Sequence, residues 1–346
     1  MSAADDPIAP GTAGDPVAPG PAGDIAAVVI GRNEGARLET CLRSLAGATR
    51  PPDRIVYVDS GSTDGSVETA RALGAEVVEL DAGAPFTAAR GRNAGVVRLR
   101  EAGAPDLVQF VDGDCEVDPN WIATAASFLE DRPEAAVACG RRRERHPEAS
   151  AYNRLCDVEW DTPIGRTRSC GGDALMRMAA FDAVGGFDPT LIAGEEPELC
   201  VRLRAEGWEI WRLDAEMTLH DADMTRFAQF WRRARRGGHA YAEGAAMHGA
   251  PPERHGVAGT RRALLWGLAL PLAILVAVLL AGPWGLLLAL VYPAQIARLA
   301  LRAGGGRAAW ERAGLLTLGK FAEARGVVDY RLARLRGRRL GLIEYK

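Results

Sequence analysis

The chain has 346 residues, of which 48% are hydrophobic, 25% charged and 6% aromatic, with a formal net charge of −3. That length holds two ordinary domains, or one domain with an appendage, and the apolar fraction excludes a wholly disordered chain. Six cysteines exclude a disulfide-dense scaffold, and the near-neutral charge argues against a generally basic nucleic-acid binder.

Residues 1–24 are almost entirely Ala, Gly, Pro and Asp, with no basic start and no long apolar core. They read as a disordered leader rather than a signal peptide. Residues 25–30 (IAAVVI) form a short uninterrupted apolar run, the pattern of a parallel strand buried on both faces. Residues 36–46 carry Leu38, Leu42 and Leu45 at helical spacing. A second strand at 54–58 leads into the turn DSGSTDG, followed by a helix at 67–73 and a third strand at 75–80. A helix at 86–102, a fourth strand at 107–111 and a helix at 118–130 continue the alternation. This βαβα rhythm predicts an α/β fold with a mostly parallel sheet, which binds ligands outside the carboxyl ends of its strands.

The polar clusters fall at those ends. Asn33 and Glu34 follow the first strand, Asp59 the second, and Asp112-Gly-Asp114 the fourth. Neither a dinucleotide fingerprint nor a Walker loop accompanies the first strand. Two carboxylates flanking a glycine repel each other unless a cation or a proton intervenes. Hard oxygen ligands suit Mg²⁺ or Mn²⁺, which also coordinate phosphates. The plainer reading is a solvated acidic turn. Glu34 and Asp59 suit ribose hydroxyls or a base N–H, or equally turn and helix capping.

Further on, Glu195-Glu196-Pro197-Glu198 places three acids in four residues before a helix beginning at 199–203. One of them suits a general base acting on a hydroxyl; ordinary acidic residues at a helix start are the alternative. His220 follows strand-like stretches at 209–213 and 217–219, and completes a metal site or is simply hydrogen-bonded. Residues 227–236 (FAQFWRRARR) form an amphipathic stretch whose arginines suit a pyrophosphate. Arg141–Arg145 and Trp160-Asp161 are candidates for an acceptor side.

Residues 263–294 contain no charged residue. The first 19 are apolar, close to the ~20 of a spanning helix; Gly282-Pro283 then interrupts, and 284–297 is a shorter second segment. Arg261 and Arg262 precede the pair, and Arg298 and Arg302 follow it. The expectation is a membrane hairpin with both flanks in the cytoplasm. Residues 298–346 carry net +8, leaving −11 for the rest, and suit an anionic leaflet better than nucleic acid. The cysteines show no CxxC spacing and read as reduced. Cys115, beside the acidic pair, is the one whose modification is expected to inhibit.

The ordered set VVIGRNEG (28–35), VYVDSGSTDGS (56–66), ARGRNAG (89–95), QFVDGDCEV (109–117), GGDALMR (171–177), VGGFDPTLIAGEEPELCVRL (184–203) and WRRARRGG (231–238) resembles family 2 glycosyltransferases. The resemblance covers roughly residues 25–240. The apolar hairpin and the closing IEYK look like the bacterial membrane-associated branch that builds exopolysaccharide or lipid-linked glycans. It implies a GT-A fold at 25–250, a hairpin at 263–297 and a basic cytoplasmic segment at 298–346. It also implies an inner-membrane location with the catalytic domain facing the cytoplasm.

By the resemblance, Asn33, Glu34, Asp59, Asn93, Asp112, Arg235 and Arg236 bind the nucleotide-sugar donor. Asp112 and Asp114, with His220, hold Mg²⁺ or Mn²⁺. The base position of the family's acidic motif falls on Glu196, where Asp is usual, with Glu195 as the substitute. The Q-x-x-R-W sequence of processive synthases is absent, which favours transfer of one sugar. Gly31-Arg32 stands where Pro-Thr is common. The implied reaction is inverting transfer to a membrane-associated, polyprenyl-diphosphate-linked glycan acceptor, without nucleic acid. The competing readings are a nucleotidyltransferase and a non-catalytic membrane scaffold that binds nucleotide or glycan.

Overall fold

The computed structural model describes residues 23–338 and residue 341. The expected leader therefore lies outside the described residues as far as residue 22, and so does the closing IEYK. The described chain divides into two compact units, residues 23–147 with 156–223, and residues 148–155 with 224–338.

The first unit is the α/β body. Its elements run β1 (Ile25–Gly31), α1 (Ala36–Ala46), β2 (Arg54–Asp59), α2 (Ser66–Ala72), β3 (Glu76–Glu79), α3 (Ala88–Arg100), β4 (Leu107–Asp112), β5 (Cys115–Val117), α4 (Trp121–Asp131) and β6 (Ala135–Glu144). After α5 (Ala151–Glu159) come β7 (Gly165–Arg166), β8 (Ala174–Arg177), α6 (Met178–Ala183), α7 (Glu195–Ala205) and β9 (Glu209–His220). The sheet order is β3-β2-β1-β4-β8-β6-β9-β5, with β7 on β9. The half β3-β2-β1-β4 is parallel, as the βαβα rhythm requires, and β8 enters antiparallel to β4. The sheet is thus mixed. The two strand pieces expected near 209–219 are one strand, and the helix expected from 199 begins four residues earlier, at Glu195. Acids in a first helical turn meet the positive end of the helix dipole, so they start the helix instead of preceding it.

Register fixes the level of the acidic residues. Gly31 pairs with Asp59 and Ile30 with Asp112, so both aspartates end their strands on either side of β1. Within the sheet, Gln109 is fully buried on β4. It survives there because Trp121 Nε1 donates to its Oε1 at 2.9 Å and its own amide donates to the Phe110 carbonyl at 2.7 Å. Helix α3 approaches the centre of the sheet through glycine. A Cβ built on Gly95 would stand 2.3 Å from Val28 Cγ1.

The second unit contains α8 (Phe227–His248), α9 (Val257–Leu264), α10 (Leu270–Ala281), α11 (Val291–Arg302) and α12 (Arg307–Leu335). Helices α8 and α12 cross closely, because a Cβ on Gly238 would meet the Glu323 carbonyl at 2.0 Å and one on Gly326 the Arg235 carbonyl at 2.0 Å. Residues from α9 to α11 form one apolar helical stretch, Val257–Arg302, long enough to cross a membrane and only 6% buried over its most apolar window. Two separate spanning helices were expected. Gly282, at φ 61° and ψ −147°, ends α10, and a 3-10 segment, Gly282–Leu290, follows without an intervening loop. The π turn at Leu265–Ala269 precedes Pro271, whose missing N–H forbids the ordinary bond.

Gly95→Ala is expected to destabilise the α/β body by about 1–3 kcal/mol, despite the better helix propensity of alanine. Thermal denaturation measures it.

Candidate active site

The strand ends of β1, β2 and β4 carry the cluster, and two arginines hold it together. Arg92 rises from α3 and is almost wholly buried. Its Nη2 lies 2.9 Å from Asp112 Oδ1 and its Nη1 2.8 Å from Glu195 Oε1. Burial pulls this guanidinium toward neutrality, but Asp112 and Glu195 outweigh it and its pKa ends raised. Arg142, from β6, reaches Asp112 Oδ2 at 3.2 Å and Asp173 Oδ2 at 3.1 Å. Its guanidinium lies 4.9 Å from the centroid of the Trp160 ring.

Asp173 is fully buried and is the organiser of this end. Its Oδ1 accepts the Asp112 N–H at 3.0 Å, and its Oδ2 accepts the Thr218 hydroxyl at 2.8 Å and the Cys115 thiol at 3.3 Å. The Gly171-Gly172 loop closes over the pair. A Cβ on Gly172 would fall 2.9 Å from Arg92 Nη2 and 3.1 Å from Asp112 Oδ2, so a larger residue would displace one of these groups.

Asp114 faces a different partner. Antiparallel pairing of β5 with β9 sets Cys115 opposite His220, and His220 Nε2 lies 3.3 Å from Asp114 Oδ2. Burial first, then Arg142, pushes the imidazole pKa down, which keeps it neutral and able to ligate. Its Nδ1 is 3.8 Å from Glu144 Oε2, longer than a hydrogen bond, and the Trp160 ring packs edge-on at 4.7 Å. Asp114, Cys115 and His220 each offer a ligand atom within 4.8 Å of the others. The carboxylate and neutral imidazole fit Mn²⁺, or Mg²⁺ completed by oxygen ligands. Cys115 itself is buried, and burial followed by Asp173 raises its thiol pKa well above normal. That protonated, enclosed thiol is a poor target for modification.

The two candidate bases diverge. Glu195 is engaged by Arg92, whereas Glu196 Oε1 accepts the Cys170 N–H at 2.5 Å and the Cys200 thiol at 3.2 Å. Among the described residues, both of these contacts of Glu196 use Oε1 and neither uses Oε2. Glu198 pairs with Arg202 at 2.6 Å and serves α7 itself.

The donor-side candidates are placed as braces. Asp59 is buried, with Tyr57 Oη on Oδ1 at 2.9 Å and the N–H groups of Gly61 and Ser62 on Oδ2 at 2.8 Å. Asn33, at φ 55°, accepts the Thr63 N–H at 2.7 Å. Glu34 pairs with Arg37 at 2.9 Å beside Gly31 and Gly113. Asn93 clasps the backbone of Phe187 in both directions, at 2.7 and 3.0 Å. Arg235 and Arg236 lie on α8 in the second unit, where Asp329 takes the Arg235 guanidinium at 2.7 Å. Sequence reasoning quoted the motifs holding Arg92 and Asp173 and noted Arg142, yet it assigned no donor-site role to any of them. An arginine inside ARGRNAG, facing small residues on its own helix, was the available signal.

Acids and arginines thus gather at the carboxyl ends of a mixed α/β sheet, with a metal-competent Asp–His pair beside them. The family model "Glycosyl transferase family 2" matches residues 27–181. The succinoglycan biosynthesis protein ExoA of Rhizobium meliloti is 28% identical over 211 residues, 58% of this chain and 63% of that protein. The chain therefore spans less than two thirds of that relative. The N-acetylglucosaminyl-diphospho-decaprenol L-rhamnosyltransferase of Mycobacterium tuberculosis is 27% identical over 239 residues, 58% of this chain and 77% of that protein. Among solved structures, the mannosyltransferase PcManGT of Pyrobaculum calidifontis, in complex with GDP-Man and Mn²⁺, superposes with a TM-score of 0.59 at 19% identity. It covers 89% of this chain and 87% of its own, a likeness of fold.

Asp173→Asn is expected to cost about 3 kcal/mol, since it removes the buried charge facing Arg142 and turns an amide donor toward other donors. Denaturant unfolding reads the loss.

Proposed function

We propose that the protein transfers one sugar, with inversion, from a nucleotide-sugar donor to a membrane-associated, polyprenyl-diphosphate-linked glycan acceptor. The observation that carries the reading is the single Arg92 guanidinium shared by Asp112 and Glu195, which brings the donor-side and acceptor-side acids to one cleft. Two similar proteins support it: one is a rhamnosyltransferase named for an N-acetylglucosaminyl-diphospho-decaprenol, and the other holds GDP-Man with Mn²⁺.

In this reading Asp114 and His220, with Asp112, hold Mg²⁺ or Mn²⁺. That ion supplies positive charge to the leaving diphosphate. Glu196 Oε2 takes the proton of the acceptor hydroxyl as its oxygen attacks the anomeric carbon, and the bond to the nucleotide diphosphate breaks on the opposite face. The Cys170 amide fixes the carboxylate through Oε1. Arg142 moves from Asp112 toward the diphosphate oxygens, since Arg235 is committed to Asp329. Asn33, Glu34, Asp59 and Asn93 shape the nucleoside side by bracing its loops.

The apolar stretch is proposed to enter the cytoplasmic membrane as a hairpin, with the catalytic domain in the cytoplasm. Tyr292 Oη donates to the Trp266 carbonyl at 2.7 Å, and residues 26 apart on a straight helix would stand about 39 Å apart. The basic residues on both flanks agree with that orientation.

Glu196→Gln is expected to lower turnover by about 100-fold or more while donor affinity is retained. A screen of UDP-, GDP- and dTDP-sugars with membrane lipid extract reads it, and NMR of the product reports inversion. Loss of donor binding with intact turnover per bound donor would overturn the assignment. Chelation should abolish turnover and Mn²⁺ restore it, with His220→Ala raising the required Mn²⁺ by at least about tenfold. Release of pyrophosphate in place of nucleoside diphosphate would favour a nucleotidyltransferase.

A further inference from the structure

A second set of donor atoms converges apart from Asp114 and His220. Cys170 Sγ lies 3.8 Å from Cys200 Sγ, and Cys200 Sγ lies 3.2 Å from Glu196 Oε1. All three side chains are buried, and one ligand atom from each falls within 4.8 Å of the others. Glu196 and Cys200 are four residues apart on α7, so successive turns stack them on one face. The Cys170 amide fastens Glu196 Oε1 from the adjoining loop.

The sulfur–sulfur separation is that of a small tetrahedral ion, and the 3.2 Å from Cys200 Sγ to Glu196 Oε1 is slightly shorter than the corresponding edge. Metal–sulfur bonds of about 2.3 Å and a metal–oxygen bond of about 2.0 Å give tetrahedral edges of about 3.8 Å between sulfurs and about 3.5 Å from sulfur to oxygen. Mg²⁺ and Mn²⁺ prefer oxygen, whereas Zn²⁺ takes thiolates with a carboxylate.

We infer that Cys170, Cys200 and Glu196 form a second metal site, selective for Zn²⁺, whose occupation silences the enzyme. Binding releases both thiol protons to solvent and leaves a fourth position for water. Cys170 and Glu196 each retain 7% exposure, so the site is enclosed but not sealed. A cation held on Oε1 draws charge from the carboxylate and makes Oε2 a much weaker base for the acceptor proton. That silencing rests on the reading of Glu196 as the base; the site itself rests on the geometry alone.

The test uses the full chain in detergent micelles, with Co²⁺ as spectroscopic probe and Zn²⁺ added at saturating Mn²⁺. Thiolate-to-cobalt charge-transfer absorption is expected in the parent and in Cys115→Ser, and is expected to vanish in Cys170→Ser and Cys200→Ser. Zn²⁺ should lower parental turnover by about 100-fold or more, the contribution of a general base. X-ray absorption of the zinc-loaded parent, which needs no variant to fold, should show two sulfur ligands. A spectrum with one sulfur or none, or a cobalt band abolished by Cys115→Ser and kept in the other two variants, overturns the site. Two sulfur ligands with zinc-insensitive turnover support the site and overturn Glu196 as the base.

Discussion

The site depends on two arginines, one buried and one half-buried, that let acidic groups share one end of the sheet. Asp112, Asp173 and Glu195 stand together, and like charges so placed repel unless cations lie between them. Arg92 joins Asp112 to Glu195, and Arg142 joins Asp112 to Asp173. Each guanidinium offers a fork of donors in fixed geometry, which a lysine would not reproduce. The constraint reaches back into the core. Arg92 is delivered by α3, and α3 lies close enough because Gly95 packs on Val28 without a side chain. A small residue beneath the helix is thus a condition for the charge arrangement above it.

The two aspartates of the Asp-Gly-Asp motif consequently differ. Asp112 is an ionic junction, whereas Asp114 faces a neutral imidazole and an enclosed thiol. An arriving diphosphate and cation would exchange partners at the first and add ligands at the second. The glutamates divide in the same way: Glu195 belongs to the arginine network, and Glu196 to a pocket made by Cys170 and Cys200. The same pocket that orients the carboxylate also assembles donors of a different softness, so a site for hard ions and a site for a thiophilic ion lie on one chain.

The second unit follows different physics. Helices α8 and α12 meet through Gly238 and Gly326, where backbone touches backbone, and Arg235–Asp329 and Arg325–Asp329 ion pairs accompany that contact. The apolar stretch leaves its leucines outward; Leu279 and Leu280, for instance, are 75% and 83% exposed. A water-soluble surface does not tolerate such a face over this length, and a lipid one does.

The sequence by itself determined the strands β1 to β4, their helices, the position of the acids at strand ends and the uncharged stretch, because those features are local: apolar periodicity, turn residues and charge along the chain. The family motifs likewise lie in continuous segments. The tertiary structure alone decided which acids meet which cations. Arg92 and Glu195 are 103 residues apart, and Arg142 and Asp112 are 30 apart, so their pairing depends on register and on how closely α3 packs. It also decided that Asp59, Asn33 and Asn93 spend their polar groups bracing backbone, and that Cys170, Cys200 and Glu196 form a cluster. Hydrogen-bond direction and burial are properties of three-dimensional neighbours, and a linear pattern does not contain them.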